Sequence, residues 1–106
     1  MIKKTPHKKG IRTDLVLMWR IALRNILWEL GKRQEDFAEK IGLSRQSLST
    51  MLQRDDLHLT GIQFLGTMRG LEEMIRESDV DQIRKNAAWA YWEQVDAFYH
   101  KFGFRE

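Results

Sequence analysis

The chain has 106 residues, 42% of them hydrophobic and 31% charged, with a formal net charge of +3, no cysteine and three scattered histidines. This length allows one small domain, and the composition excludes disulfides and thiolate metal sites and predicts neither a metal nor a cofactor. Apolar runs such as 15–19 are too short to cross a bilayer, and the N-terminus lacks the apolar core of a signal peptide, so we expect a cytoplasmic protein without membrane contact.

Positive charge is concentrated in the first half of the chain. Residues 1–54 carry twelve Lys or Arg and five Asp or Glu, whereas residues 55–106 carry six and ten. Binding a polyanion requires such an asymmetry, although an ordinary solvated surface is the alternative. We predict a flexible basic arm over 1–13, which either follows a DNA duplex or is a tail without function. Its basic residues are Lys3, Lys4, Lys8, Lys9 and Arg12.

The first helix is expected to begin after Thr13 or Asp14, either of which can cap it, and to end at Leu30 before Gly31. A second apolar face lies opposite its core face and needs a partner, either the last helix of the chain or another subunit. The predicted core face consists of Leu15, Trp19, Ala22, Leu23, Ile26 and Leu30, and the opposite face of Leu17, Ile21 and Trp28.

Residues 34–53 predict two short helices joined by a tight turn. Apolar residues at helical spacing end at Gly42, which can adopt positive φ without a Cβ penalty. Ser44 can cap a second helix that runs from Arg45 to Gln53. This arrangement is a helix-turn-helix, in which the second helix can enter the major groove of DNA.

The outer face of that second helix has the chemistry of a DNA-reading surface. Leu48 and Met51 are predicted to face inward, and no acidic residue occurs over 43–54. Arginine pairs with guanine and glutamine with adenine in the major groove. We expect base contacts from Arg45, Gln46, Ser49, Thr50 and Gln53, and phosphate contacts from Lys32, Arg33 and Arg54.

Thr60 is predicted to cap a fourth helix that closes the core and completes a DNA-binding domain over 14–77. The sequence does not decide whether this helix continues past Gly70. Ser78, with an acidic residue at Asp81, is predicted to cap a long final helix. The core residues expected on the fourth helix are Ile62, Phe64, Leu65, Met68 and Leu71.

The final segment, 78–106, contains seven of the eleven aromatic residues. A stripe this wide exceeds what one neighbouring helix covers, so a homodimer interface is the favoured interpretation. Packing on the opposite face of the first helix and binding to another protein are the alternatives. The predicted interface consists of Trp89, Tyr91, Trp92, Val95, Phe98, Tyr99 and Phe102.

The stretch QEDFAEKIGLSRQSLSTML resembles the lambda-repressor-like family of helix-turn-helix proteins in its first glutamine, turn glycine and apolar spacing. The resemblance covers roughly 14–71 and implies an all-α bundle of four to five helices that binds double-stranded DNA. It also implies that Gln34 meets phosphate and that Ser44 faces the groove with the base-contacting residues. Three features depart from the family: Arg33 replaces a capping Ser or Thr, Asp55 and Asp56 stand in a usually basic loop, and the aromatic final helix has no counterpart.

We therefore expect a transcriptional repressor of a phage, plasmid or other mobile element, bound as a homodimer to an operator with two half-sites. The alternative is an antitoxin or antirepressor whose final helix binds another protein while the helix-turn-helix regulates its own gene. An enzyme is not expected, because the sequence has no nucleophile and base pair, metal-ligand spacing or phosphate-binding glycine loop.

Overall fold

The computed structural model describes residues 13–53 and 59–102. Within these ranges the protein is all-helical, which confirms the prediction of an all-α protein. The five helices are α1 (Thr13–Leu30), α2 (Gln34–Ile41), α3 (Arg45–Gln53), α4 (Gly61–Glu77) and α5 (Gln82–Phe102). The predictions made for arm residues 1–12, for Arg54 and for the acidic pair Asp55 and Asp56 lie outside the described residues.

Three helix ends form as their residues predict. Gly31 and Gly42 follow α1 and α2 with φ of 65° and 76°, the left-handed region that glycine adopts easily. Thr60 caps α4: its Oγ1 accepts from the Gln63 N–H at 3.1 Å, and Gln63 Oε1 accepts from the Thr60 N–H at 3.0 Å. This reciprocal pair satisfies two backbone donors that a helix start would otherwise leave without partners.

The junction between α4 and α5 differs from the prediction. The fourth helix continues through Gly70, and Ser78 follows its last residue in an extended conformation instead of capping the next helix. The Ser78 hydroxyl accepts from the Val80 N–H at 3.3 Å. Asp81 supplies the cap, because its Oδ1 accepts from the Arg84 N–H at 2.9 Å. The last helix therefore begins at Gln82, later than expected.

The core forms where α1 meets α4 and α5. The predicted core face of α1 is confirmed, since all six of its residues are buried, and Val16 and Leu27 widen it. The last helix starts beside the end of α1, where Arg84 Nε lies 3.5 Å from Glu29 Oε1, and then runs back along α1 with Ala88 and Val95 buried. Because the buried face of α1 is this wide, α1 packs against both α4 and α5.

Two residues of α4 were assigned wrongly to the core, and one of the two partners predicted for the opposite face of α1, the last helix, does not cover it. Ile62 and Leu65 are exposed, because Phe64, Met68 and Leu71 already fill the inward side of α4. On α1, the opposite face stays open, with Leu17, Ile21 and Trp28 exposed to 52%, 62% and 74%. The last helix does not cover that face, because it packs into the same core as α4.

A buried hydrogen bond joins α1 to α4 inside the core. The Trp19 indole Nε1–H donates to Thr67 Oγ1 at 2.9 Å, and this hydroxyl donates to the Phe64 carbonyl at 2.7 Å. Trp19 is fully buried and Thr67 almost so. A buried indole N–H without an acceptor would lose its hydrogen bond to water with nothing in return.

Thr67→Val removes the acceptor and keeps the shape of the side chain. We expect the free energy of unfolding to fall by about 1–3 kcal/mol, the typical cost of leaving one buried donor unsatisfied. Thr67→Ser keeps the hydroxyl and loses only a methyl group, so it should be the milder change. Urea denaturation of both variants measures the difference. Equal losses would mean that the hydrogen bond contributes nothing beyond packing.

Gly70 sets the distance between α4 and α2. A Cβ at this position would collide with Ile41 Cγ2 and would lie 3.3 Å from Phe37 Cε1, both on α2. A Cβ at Gly66, one turn earlier, would meet nothing within 4 Å. Of these two glycines, therefore, only Gly70 is required by the packing of α4 against α2.

Alanine substitutions separate the two cases. Gly66→Ala should stabilise the protein by up to about 1 kcal/mol through helix propensity alone. Gly70→Ala gains the same propensity but forces α2 outward, so we expect a net loss of about 1–3 kcal/mol. Thermal unfolding of the pair is the measurement, and stabilisation by both changes would show that α2 moves away without cost.

Candidate nucleic-acid interface

The turn between α2 and α3 fixes the angle at which the second motif helix leaves the first. At Gly42 the backbone N–H donates to the Glu39 carbonyl at 3.2 Å, and the Leu43 N–H donates to the Ala38 carbonyl at 2.8 Å. These two bonds close the end of α2 while the chain turns through the left-handed glycine. Phe37 and Ala38 are buried, which anchors α2 on the core.

Ser44 caps the start of α3, as predicted. Its Oγ accepts from the Ser47 N–H at 3.0 Å, and its hydroxyl donates to Ser47 Oγ at 2.8 Å. The hydroxyl predicted to face the groove is therefore already engaged in the cap. Leu48 and Leu52 are buried and Met51 is partly buried, so one side of α3 is fixed on the core.

Two arginines on α1 hold the end of α3, and the sequence did not predict this role. Arg20 Nη2 donates to the Met51 carbonyl at 3.3 Å, and Arg24 Nη2 donates to the Leu52 carbonyl at 3.4 Å. A helix C-terminus carries partial negative charge and carbonyls without partners, so guanidinium groups are suited to it. The only sequence signal is two arginines four residues apart in a largely apolar helix.

The outer side of α3 is polar and accessible. Arg45, Gln46, Thr50 and Gln53 are exposed and Ser49 is partly exposed, so the structure brings the predicted base-contacting residues onto one accessible surface. Gln53 Nε2 donates to Ser49 Oγ at 3.3 Å. Within the described part of the chain, Arg45 and Gln46 have no hydrogen-bond or ion-pair partner, which leaves their donors available to a ligand.

The start of α2 carries the predicted phosphate-contacting residues. Lys32, Arg33 and Gln34 are all exposed. The Asp36 carboxylate accepts from the Arg33 N–H at 2.8 Å and so supports the helix start that lacks a capping Ser or Thr. The Arg33 guanidinium lies 3.2 Å from Glu35 Oε1, but both side chains are largely exposed, so this ion pair is weak and easily exchanged.

Lys40, the one cation within α2, is engaged within the fold. Its Nζ lies 2.8 Å from Glu77 Oε1 and 3.8 Å from Glu73 Oε1, both on α4. The hydrogen bond to Glu77 is the main reason that the pKa of Lys40 is raised. The lysine therefore stays protonated, and the two carboxylates offset its charge. It connects α2 to α4 instead of adding positive charge to the α3 surface.

The predicted dimer-interface residues of α5 mostly contact their own chain. The Trp92 indole N–H donates to the Met68 carbonyl at 2.7 Å, and Tyr99 stacks on Phe64 with ring centroids 4.7 Å apart. Val95 is buried, whereas Phe102 is 48% exposed. Trp89, Tyr91 and Phe98 are partly buried against the core. Of the three interpretations of this helix, packing within the chain accounts for most of these side chains, although its place on α1 is not the one predicted.

Arg20→Met and Arg24→Met together remove both guanidinium groups and keep the aliphatic stems. Each partly exposed hydrogen bond contributes about 1 kcal/mol or less, so we expect the amides of residues 51–53 to exchange hydrogen several-fold faster while the core is unchanged. Arg76→Met, which removes an exposed cation paired with Glu72, is the matched control. Unchanged exchange at the end of α3 in the double variant would refute the capping role.

Other kinds of site find no support in the part of the chain that is described. No three His, Asp or Glu residues among 13–53 and 59–102 are grouped to hold a metal ion. Likewise, none of the five helices is both long and apolar enough to span a bilayer. Comparisons of the chain with protein-family models, with curated proteins and with solved structures found no match.

Proposed function

We propose that the protein is a sequence-specific DNA-binding transcriptional regulator of the lambda-repressor-like kind, with α3 as the helix that enters the major groove. The observation that carries the proposal is the outer side of α3, which is exposed, polar and free of acid while its inner side is buried. An α-helix with its side chains is about 10–12 Å across, which fits a major groove about 12 Å wide.

The side chains on this surface have suitable chemistry for reading bases. Arg45 offers a forked donor for guanine O6 and N7, and Gln46 offers a donor and an acceptor for adenine. Neither has a partner among the described residues that would have to be displaced first. Thr50 and Gln53 extend the same polar surface along the helix.

Phosphate contacts would position α3 in the groove. Lys32 and Gln34 lie exposed at the start of α2, where backbone N–H groups and the helix dipole favour an anion. The excess of basic residues over 1–54 would add affinity that is independent of sequence. In this proposal the regulator is a repressor from a phage, plasmid or other mobile element, acting as a homodimer on two half-sites.

The alternative, an antitoxin or antirepressor that binds another protein through α5, has less support. Trp92 and Tyr99, the centre of the surface it requires, contact α4 of the same chain. A partner would have to use the remaining edge of α5 near Phe102 or separate this helix from the core.

Selection of bound DNA from a random pool tests the proposal, and Arg45→Ala tests the assignment of α3. We expect the wild type to select a site with two-fold symmetry. Arg45→Ala should lose about 1–3 kcal/mol of binding free energy on that site and should show a relaxed preference at one base pair of each half-site. Arg76→Ala, an exposed arginine at the end of α4, should bind like the wild type. Equal weakening of Arg45→Ala on selected and random DNA would exclude base reading, and recovery of no preferred site would exclude sequence specificity.

A further inference from the structure

The outer face of α1, which we define as Leu17, Ile21, Arg24 and Trp28, is a largely apolar surface that no other helix of the described chain covers. Its three apolar side chains are each more than half exposed, and Arg24 is exposed between them. We propose that two copies of this chain associate through this face, with the two α1 helices antiparallel around a two-fold axis. This interface is different from the one predicted on α5.

Another exposed apolar side chain lies at the start of α5. Arg84 Nη2 donates to the Trp28 carbonyl at 3.3 Å, which brings the first turn of α5 beside Trp28. Ile83, in the same turn, is 81% exposed. Contiguous exposed apolar side chains of this size on a small protein mark an interaction surface.

The spacing of the residues on the outer face of α1 is the same when the helix is read in either direction. Its residues are separated by four, three and four positions, so an axis that crosses α1 between positions 22 and 23 pairs each residue with another member of the face. Leu17 would meet Trp28 of the second copy, and Ile21 would meet Arg24. Because a two-fold interface uses the same patch on both copies, this self-complementary spacing is the property it requires.

The charges of the face favour a second copy over a charged partner. Arg24 is its single charged residue, and the guanidinium donates to the Leu52 carbonyl on α3. Its aliphatic stem is therefore the part available to pack against Ile21 of the other copy. An acidic partner would gain little from a cation that already has an acceptor, whereas an apolar surface of the same shape is available on every copy of the chain.

The size of the face predicts a weak dimer. Trp28 contributes the largest area, since an aromatic side chain buries about 150–250 Å² when fully covered. The face and Ile83 together remain below the roughly 800 Å² per partner of a standard interface. We therefore expect association that depends on concentration rather than a permanent dimer.

Sedimentation equilibrium up to about 1 mM protein measures this association without DNA. We expect the apparent mass to rise from 12.7 kDa towards twice that value for the wild type and for Ile62→Glu, whose side chain is 67% exposed on α4. Trp28→Glu should remain monomeric, and Leu17→Glu, at the other end of the face, should do the same if Trp28→Glu misfolds. A monomeric wild type, or a Trp28→Glu variant that still dimerises, would overturn the proposal, as would a loss of association in Phe102→Glu but not in Trp28→Glu.

Cross-linking tests the geometry, because the chain has no cysteine of its own. Around the proposed two-fold axis the two Cα atoms at position 21 lie about 6 Å apart, which is within disulfide range. The two Cα atoms at position 17 are separated by about 16 Å along the direction of the helices, which is too far for a disulfide. Ile21→Cys should therefore form a linked dimer on mild oxidation, and Leu17→Cys should do so only when mixed with Trp28→Cys. Linking of Leu17→Cys to itself would indicate parallel helices and overturn the register, and equal linking of Ile62→Cys would show random collision.

The consequence for the two recognition helices rests on the proposed function, whereas the association itself does not. Arg20 and Arg24 connect α1 to the end of α3, so pairing of two α1 helices would fix the distance between two α3 helices. A dimer that forms but selects no symmetric DNA site would contradict the proposed function and leave the interface standing. A symmetric site bound equally well by Trp28→Glu would contradict the role of the interface on DNA and leave the function standing.

Discussion

The contact between Trp19 and Thr67 is the constraint on which the rest of the molecule depends. An indole ring can be fully buried only if its N–H finds an acceptor, and a hydroxyl on α4 supplies one at a fixed place. This bond fixes the position of α4 along the buried face of α1. With α1 and α4 in this relation, α2 approaches α4 at Gly70, and α3 comes within reach of the arginines of α1.

Helix ends were the most predictable part of this fold, because they depend on neighbours in sequence. Gly42, Ser44 and Thr60 each act through bonds that span at most a few residues, and each behaves as its residue type suggests. Ser78 and Asp81 show the limit of such reasoning. Both can cap a helix, and the choice between them depends on how far α4 continues, with Met74 and Ile75 buried beyond Gly70.

The choice between apolar faces could not be made from the sequence. On α1 and α4 apolar residues occur on more than one side, and periodicity gives no order of preference between Leu65 and Met68. That order depends on where α5 lies, and its position follows from contacts between residues more than twenty positions apart, such as the bond from Trp92 to the Met68 carbonyl. The polar surface of α3 was predictable because it follows from helical spacing within α3. The arginines that hold the end of α3 were not, because they contact residues about thirty positions away in the sequence.

The separation of buried apolar residues from exposed polar residues on α3 has a consequence for the evolution of the protein. Leu48 and Leu52 fix the helix on the core, and none of the exposed polar residues shares that task. Substitutions at Arg45, Gln46 or Thr50 therefore leave the folded state almost untouched. Under the proposed function, a lineage could acquire new target preferences one residue at a time without passing through unstable intermediates. The scaffold would stay constant while its specificity diverges.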